Sequence, residues 1–153
     1  MNVQQAYAGV QTVLRETFSG IRPVLTYADG AATVTRGQED TGQEADRATL
    51  SQYRYVRTKV SRAKRGALLG VVERAWKAEG YRITQVDPDP DMPAVYAVTP
   101  AGYSVNLAVG APGNVYFVVG SPEFAAGQGT DSFQGGGSAQ AVVPDVDDPF
   151  WSH

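Results

Sequence analysis

Cysteine is absent from all 153 residues, which removes disulfides, thiolate metal sites and thiol nucleophiles together. Histidine occurs once, as His153, so imidazole acid–base chemistry has no candidate with fixed surroundings. Long apolar runs are missing too: no stretch approaches the roughly 18 residues that a membrane span needs. The first twenty residues lack the basic start and continuous apolar core of a secretory signal. The expectation is therefore a cytoplasmic protein, or an extracytoplasmic one if translation starts upstream. No Walker A sequence, no G-x-G-x-x-G and no G-x-S-x-G occurs. Only a hydrolase built from carboxylates alone survives as an enzymatic option. The expectation is a protein that is not an enzyme, with no catalytic, cofactor-binding or metal-binding residue.

Positive charge is absent after Arg82, where residues 83–153 carry eight acids and no lysine or arginine. Residues 47–82 hold ten of the thirteen basic residues against two acids, Glu73 and Glu79. The densest part of that run is Arg54, Arg57, Lys59, Arg62, Lys64 and Arg65, interleaved at its start with Tyr53 and Tyr55. Cations for phosphates beside aromatic faces for bases are the ingredients of a polyanion or nucleic-acid surface. The plainer reading is a solvated approach to a helix. That reading carries a cost, because positive charge at a helix start opposes the macrodipole. An acidic neighbour in the same chain would offset it, either Glu39, Asp40, Glu44 and Asp46 or Asp145, Asp147 and Asp148. The second set would make an electrostatic clamp between the basic stretch and the acidic C-terminal segment.

Apolar spacing supplies the elements. Val3, Tyr7, Val10, Leu14 and Phe18 recur every three or four residues and predict a helix over 3–18. "IRPVLTY" predicts a strand, with Pro23 confining it to a sheet edge, and "ATVTR" a returning one. "GQEDTGQEADR" predicts a polar, mobile loop. Residues 49–60 alternate as a strand would, although Leu50, Tyr53, Val56 and Val60 could also line a helix. Ser61 is placed to cap a helix over 62–79, with Leu68 or Leu69, Val72, Ala75 and Trp76 inward and Gly80 ending it. "YRITQV", "AVYAVT", "YSVNLAV" and "VYFVVG" predict four strands joined by short turns. The fold class expected is α+β, two helices on one face of an antiparallel sheet with a C-terminal four-stranded meander.

Asp87, Asp89 and Asp91 alternate like the start of a calcium loop. Met92 and Val98 stand where that loop needs glycine and glutamate, so a stiff acidic linker is expected instead. From Phe124 onward glycine, serine and glutamine dominate without a period, which predicts a single domain over 1–123 and a disordered acidic tail over 124–153. Within that tail Asp147, Asp148, Phe150 and Trp151 form a candidate docking motif, aromatic anchors beside steering charges, for the protein itself or for a partner.

Residues 65–122, "RGALLGVVERAWKAEGYRIT…MPAVYAVTPAGYSVNLAVGAPGNVYFVVGSP", resemble a group of small actinobacterial proteins, many of them predicted lipoproteins or exported proteins. The resemblance rests on the "LLGVVERAWKAEGY" helix and the "TPAGYSV" turn. Members of that group carry a cysteine just after the final strand, where this sequence has Glu123, and a lipobox, which is absent here. The group brings no activity with it, so no functional residue is carried over. The function expected is a small non-catalytic binding or interaction module, accessory to an envelope or secretion process. Its partner would be a protein or its own acidic segment. The alternative is nucleic-acid or polyanion binding through residues 54–65.

Overall fold

The computed structural model describes residues 1–38, 44–111 and 113–153. Two helices, α1 (Val3–Ser19) and α2 (Arg62–Ala78), lie on one face of an eight-stranded antiparallel sheet. Its strands are β1 (Tyr27–Asp29), β2 (Thr33–Gln38), β3 (Glu44–Val56), β4 (Arg82–Asp87), β5 (Ala94–Val98), β6 (Ser104–Gly110), β7 (Asn114–Gly120) and β8 (Phe124–Ala125). The order β1-β3-β7-β6-β5-β4 contains the expected meander, β4 to β7, paired strand by strand in sequence.

The long strand β3 is the spine. One edge takes β2 and then β1, the other takes β8 and then β7. Its even positions from Ala48 to Val56 are buried, while Thr49, Ser51, Tyr53 and Tyr55 face away from the helices. The strand pattern expected over 49–60 thus holds as far as Val56. The polar loop expected over 37–47 is strand at both ends, where β2 runs to Gln38 and β3 starts at Glu44, and residues 39–43 between them, including Glu39 and Asp40, lie outside the described residues.

The helices share the sheet between them. α1 packs over β3, β7 and β8, and α2 over β4, β5 and β6. Val10 and Leu14 of α1 and Leu68, Val72 and Trp76 of α2 are fully removed from water and carry the core contact. The Trp76 indole N–H donates to Thr17 Oγ1 at 2.9 Å, so the one polar atom of the largest core side chain is satisfied by the neighbouring helix. α2 ends in a Schellman turn. Gly80 takes φ +83°, its N–H reaches Lys77 O at 3.0 Å, and the Tyr81 N–H reaches Trp76 O at 2.9 Å.

Three expectations need correction. First, "IRPVLTY" is not a strand: pairing begins only at Tyr27, and Ile21 and Leu25 instead turn into the core from irregular chain. Pro23 has no N–H to give a ladder, and its carbonyl accepts the Trp151 indole N–H at 2.8 Å.

Second, residues 124–153 are not a disordered tail. Phe124 and Ala125 extend the sheet, and the Ala126 N–H reaches Asp46 O. The chain then runs beside β1 and β2, where Gly137 N–H bonds Gly30 O and Ala139 N–H bonds Asp29 O. A side chain at Gly137 would collide with the Asp29 carbonyl, so glycine is what allows the approach. Trp151, 0% exposed, closes the path in the core beneath the start of α2. The segment is held by backbone pairing on a sheet edge, which leaves no side-chain period to read.

Third, Ser61 occupies the N-cap position of α2 with extended backbone but makes no side-chain cap bond. Its N–H donates to Trp151 O at 2.8 Å, and its buried hydroxyl has no partner in the structure. Ser61→Ala should therefore leave the melting temperature unchanged or slightly raised, whereas loss of a true cap costs about 1 kcal/mol. Thermal unfolding by circular dichroism checks this.

Candidate recognition surface and the basic stretch

Of the six basic residues singled out by sequence only Arg54 is buried, and Lys59 and Arg65 line one surface groove of about 190 Å³. Arg54 points inward from β3, with a side chain 7% exposed, and meets Asp29 in a two-pronged pair at 2.7 and 3.0 Å. Its guanidinium also lies 3.7 Å from the Tyr27 ring centroid and 4.6 Å from that of Phe18. Arg57 makes a two-pronged pair with Asp145 at 3.1 and 2.9 Å. Arg62 bonds the Asp91 carboxylate, and Arg65 donates to the Asp91 backbone carbonyl at 2.6 Å. The Lys64 ammonium sits 3.7 Å from the Phe150 ring centroid. The Lys59 backbone is held at both ends, its N–H by Val146 O and its carbonyl by the Ser152 hydroxyl.

The acid that offsets the charge at the start of α2 is thus Asp91, from the turn between β4 and β5. Of the expected acids, Asp145 pairs with Arg57 just upstream of the helix, while Glu39, Asp40 and the Glu44 side chain lie outside what the structure describes. In the expected acidic linker Asp89 Oδ1 accepts the N–H groups of Asp91 and Met92, which fixes the turn and aims Asp91 at Arg62. These bonds hold the Asp89 carboxyl below its ordinary value, with Arg62 adding a smaller pull. No group of three or more histidine, aspartate or glutamate side chains able to hold a metal ion occurs among the described residues.

The candidate docking motif is used within the chain. Asp148 Oδ1 accepts the N–H groups of Phe150 and Trp151, both at 2.8 Å, and so nucleates a terminal turn. That turn drops Trp151 into the core and sets Phe150 edge-on to it, under Lys64. Asp147 stands 3.4 Å from the His153 ring nitrogen at the surface.

The opposite face of the sheet carries no helix, and strand register defines it. Its central row is Tyr53, Val118, Asn106, Tyr96 and Gln85. Above it run Ser51, Gly120, Ser104, Val98 and Arg82, and below it Tyr55, Tyr116, Ala108, Ala94 and Asp87. In these rows charge occurs only at the outermost strand, β4. At strand spacing the rows cover roughly 19 Å by 14 Å between outer Cα atoms. Tyr53 is 42% exposed and Tyr96 36%. Tyr53 stacks on Tyr55 and leans on Tyr116, each at 5.8 Å between centroids. A shallow groove of about 230 Å³ opens between these three rings and Ala141 and Val142 of the C-terminal segment. Burial, and less so the neighbouring Tyr53, pushes the Tyr55 hydroxyl above its ordinary value, so it remains a neutral donor.

No protein-family model matches the chain, and no curated protein matches it significantly. What the surface does must be read from its chemistry. Sequence reasoning found Tyr53 and Tyr55 but tied them to the basic run. Tyr96 and Tyr116 join them only through register.

Two outcomes follow. Asp29→Ala strands a buried guanidinium and should destabilise the fold by about 3 kcal/mol or more in a denaturant titration. Asp145 titrates low because Arg57 bonds and attracts it. A carboxyl depressed in the folded state contributes stability above its ordinary value near 3.8 and loses it as the pH falls through the lowered value. Asp145→Asn should therefore speed amide exchange at Lys59 and Val146 at neutral pH. In stronger acid, below the depressed value, variant and parent should exchange alike.

Proposed function

We propose that the protein is a non-catalytic interaction module that engages a protein partner through the open face of its sheet. The observation that carries this reading is the three-row platform of tyrosine, valine, alanine, serine and asparagine, without charge until the edge strand. Interfaces concentrate tyrosine and deplete charge at their centres, because an aromatic ring buries area at low entropic cost while its hydroxyl keeps a hydrogen bond. The platform is broad and carries only a shallow groove, which suits a protein surface better than a small substrate. The likeness of residues 65–122 to exported actinobacterial proteins is what would make such a module an accessory of the envelope or of secretion.

The polyanion alternative has less support. Tyrosines on a sheet could stack on bases, but phosphates need cations beside them. Arg54, Arg57, Arg62 and Arg65 each have a partner within the chain, and Lys64 lies against Phe150. An electrophoretic shift assay with nonspecific DNA at low salt should show no complex.

The direct test is affinity capture from cells of the source organism with the parent protein and with a Tyr53→Glu, Tyr96→Glu double variant. Both positions are open to solvent, so the variant should fold with a stability change within about 1 kcal/mol. The expected result is a stoichiometric partner held by the parent and lost with the variant. Equal capture by both would show that the partner binds elsewhere.

A further inference from the structure

A second concave feature lies away from the platform, where the C-terminal half of α1, the end of α2 and the turn joining β5 to β6 converge. It is a groove of about 430 Å³, within the range that small-molecule sites occupy. Val13, Pro100 and Ala101 give it apolar walls, and Tyr81 and Tyr103 line it with aromatic rings. Its only charged lining residues, among those described, are Glu16 and Glu79.

We propose that this groove binds an organic cation, a primary ammonium or guanidinium carried on an apolar stem. Negative potential converges on it from independent sources. Glu16 stands on α1, while Glu79 is the C-cap of α2, and the end of a helix is the negative pole of its dipole. The Tyr81 hydroxyl donates to Glu16 Oε2 at 2.6 Å, which fixes that carboxylate in place while its second oxygen keeps accepting capacity. The aromatic walls suit both parts of the ligand, since rings pack against a stem and attract a cationic head. The shape is built in as well. Gly9 on α1 leaves room for Tyr103, whose hydroxyl would collide with any Cβ at that position. The Tyr103 N–H is tied to Thr99 Oγ1 at 3.0 Å. Arg15 is the competing charge: it is exposed and reaches Thr12 Oγ1, on the groove wall, at 3.3 Å.

Titration of the isotope-labelled protein with n-hexylammonium, followed by amide chemical shifts, tests the site. The controls are n-hexanol and n-hexanoate, which keep the stem and change the head. The expected result is saturable shifts at Thr12, Glu16, Glu79, Tyr81 and Tyr103 with hexylammonium, and binding weaker by about tenfold with hexanol. Glu16→Gln, which keeps an acceptor for Tyr81, should weaken hexylammonium by a similar factor, and Arg15→Gln should tighten it. A blocked Gly-Lys-Gly peptide tells the sources apart. Tighter binding of the peptide assigns the cation to a protein side chain, and tighter binding of the free amine to a small metabolite. Hexanol binding as well as hexylammonium, no shifts at the groove, or an unchanged affinity in folded Glu16→Gln would each overturn the proposal.

Discussion

The period of two along β3 is the constraint on which the rest of the structure depends. Successive side chains on a strand leave opposite faces, so Gln52, Arg54 and Val56 must go to the helix side if Tyr53 and Tyr55 go to the other. A slip of one residue would put two tyrosine rings under α1 and a guanidinium in water, and would leave Asp29 without its partner. Both buried polar side chains of β3 among the described residues have a dedicated counterpart. Gln52 is bonded by Gln11 at 2.6 Å and itself donates to Gly30 O at 3.0 Å, and Arg54 has Asp29. Unsatisfied, each would carry a desolvation penalty. The polar contacts therefore fix register, while apolar burial supplies the driving force.

Register in β3 propagates because four strands pair with it. β2 and β1 follow one another along one edge, with Gly30–Ala32 bridging the change of alignment. β7 and β8 follow along the other, where Ser121 steps across the gap with its N–H on Leu50 O and its hydroxyl on Leu50 N–H. The platform across β7, β6, β5 and β4 inherits its alignment from that spine. So does the seam that residues 135–139 make with residues 29–32, since both belong to the strand edge that β3 holds in place. The open face and the closure of the fold are in this sense consequences of one alternation.

The helices, the β4–β7 meander and the strand over 49–56 were legible because each expresses a local period that burial enforces. The C-terminal path was not. Gly135, Gly136 and Gly137 dock through backbone groups, and such contacts need small residues rather than patterned ones, so the composition of a bound segment resembles that of a free one. What did stand out was the Phe150–Trp151 pair, expected as docking anchors for the protein itself or a partner, and of the two Trp151 is buried within the chain. The roles of the basic residues were hidden for a related reason. Arg57 and Asp145, or Arg62 and Asp91, are joined by the fold alone, and nothing local in the sequence announces those partners.

The segregation of charge along the chain then takes on a structural meaning. Bases are concentrated in the stretch that leads from the spine into α2, and acids in the later segments that return to it. Asp91 comes back through the β4–β5 turn, and Asp145 through the C-terminal path. Both pairs are exposed, so their contribution is steering and register rather than large stability. On the open sheet face the pair Arg47–Glu123 takes part in this exchange at one end of β3, while the rows from Tyr53 across β7, β6 and β5 do not. The chain uses its charges to bring its own segments together and keeps the central strands of its open face uncharged and tyrosine-bearing. The ion pairs select the intramolecular path, and the uncharged central rows would add no ionic desolvation cost to the partner contact proposed above.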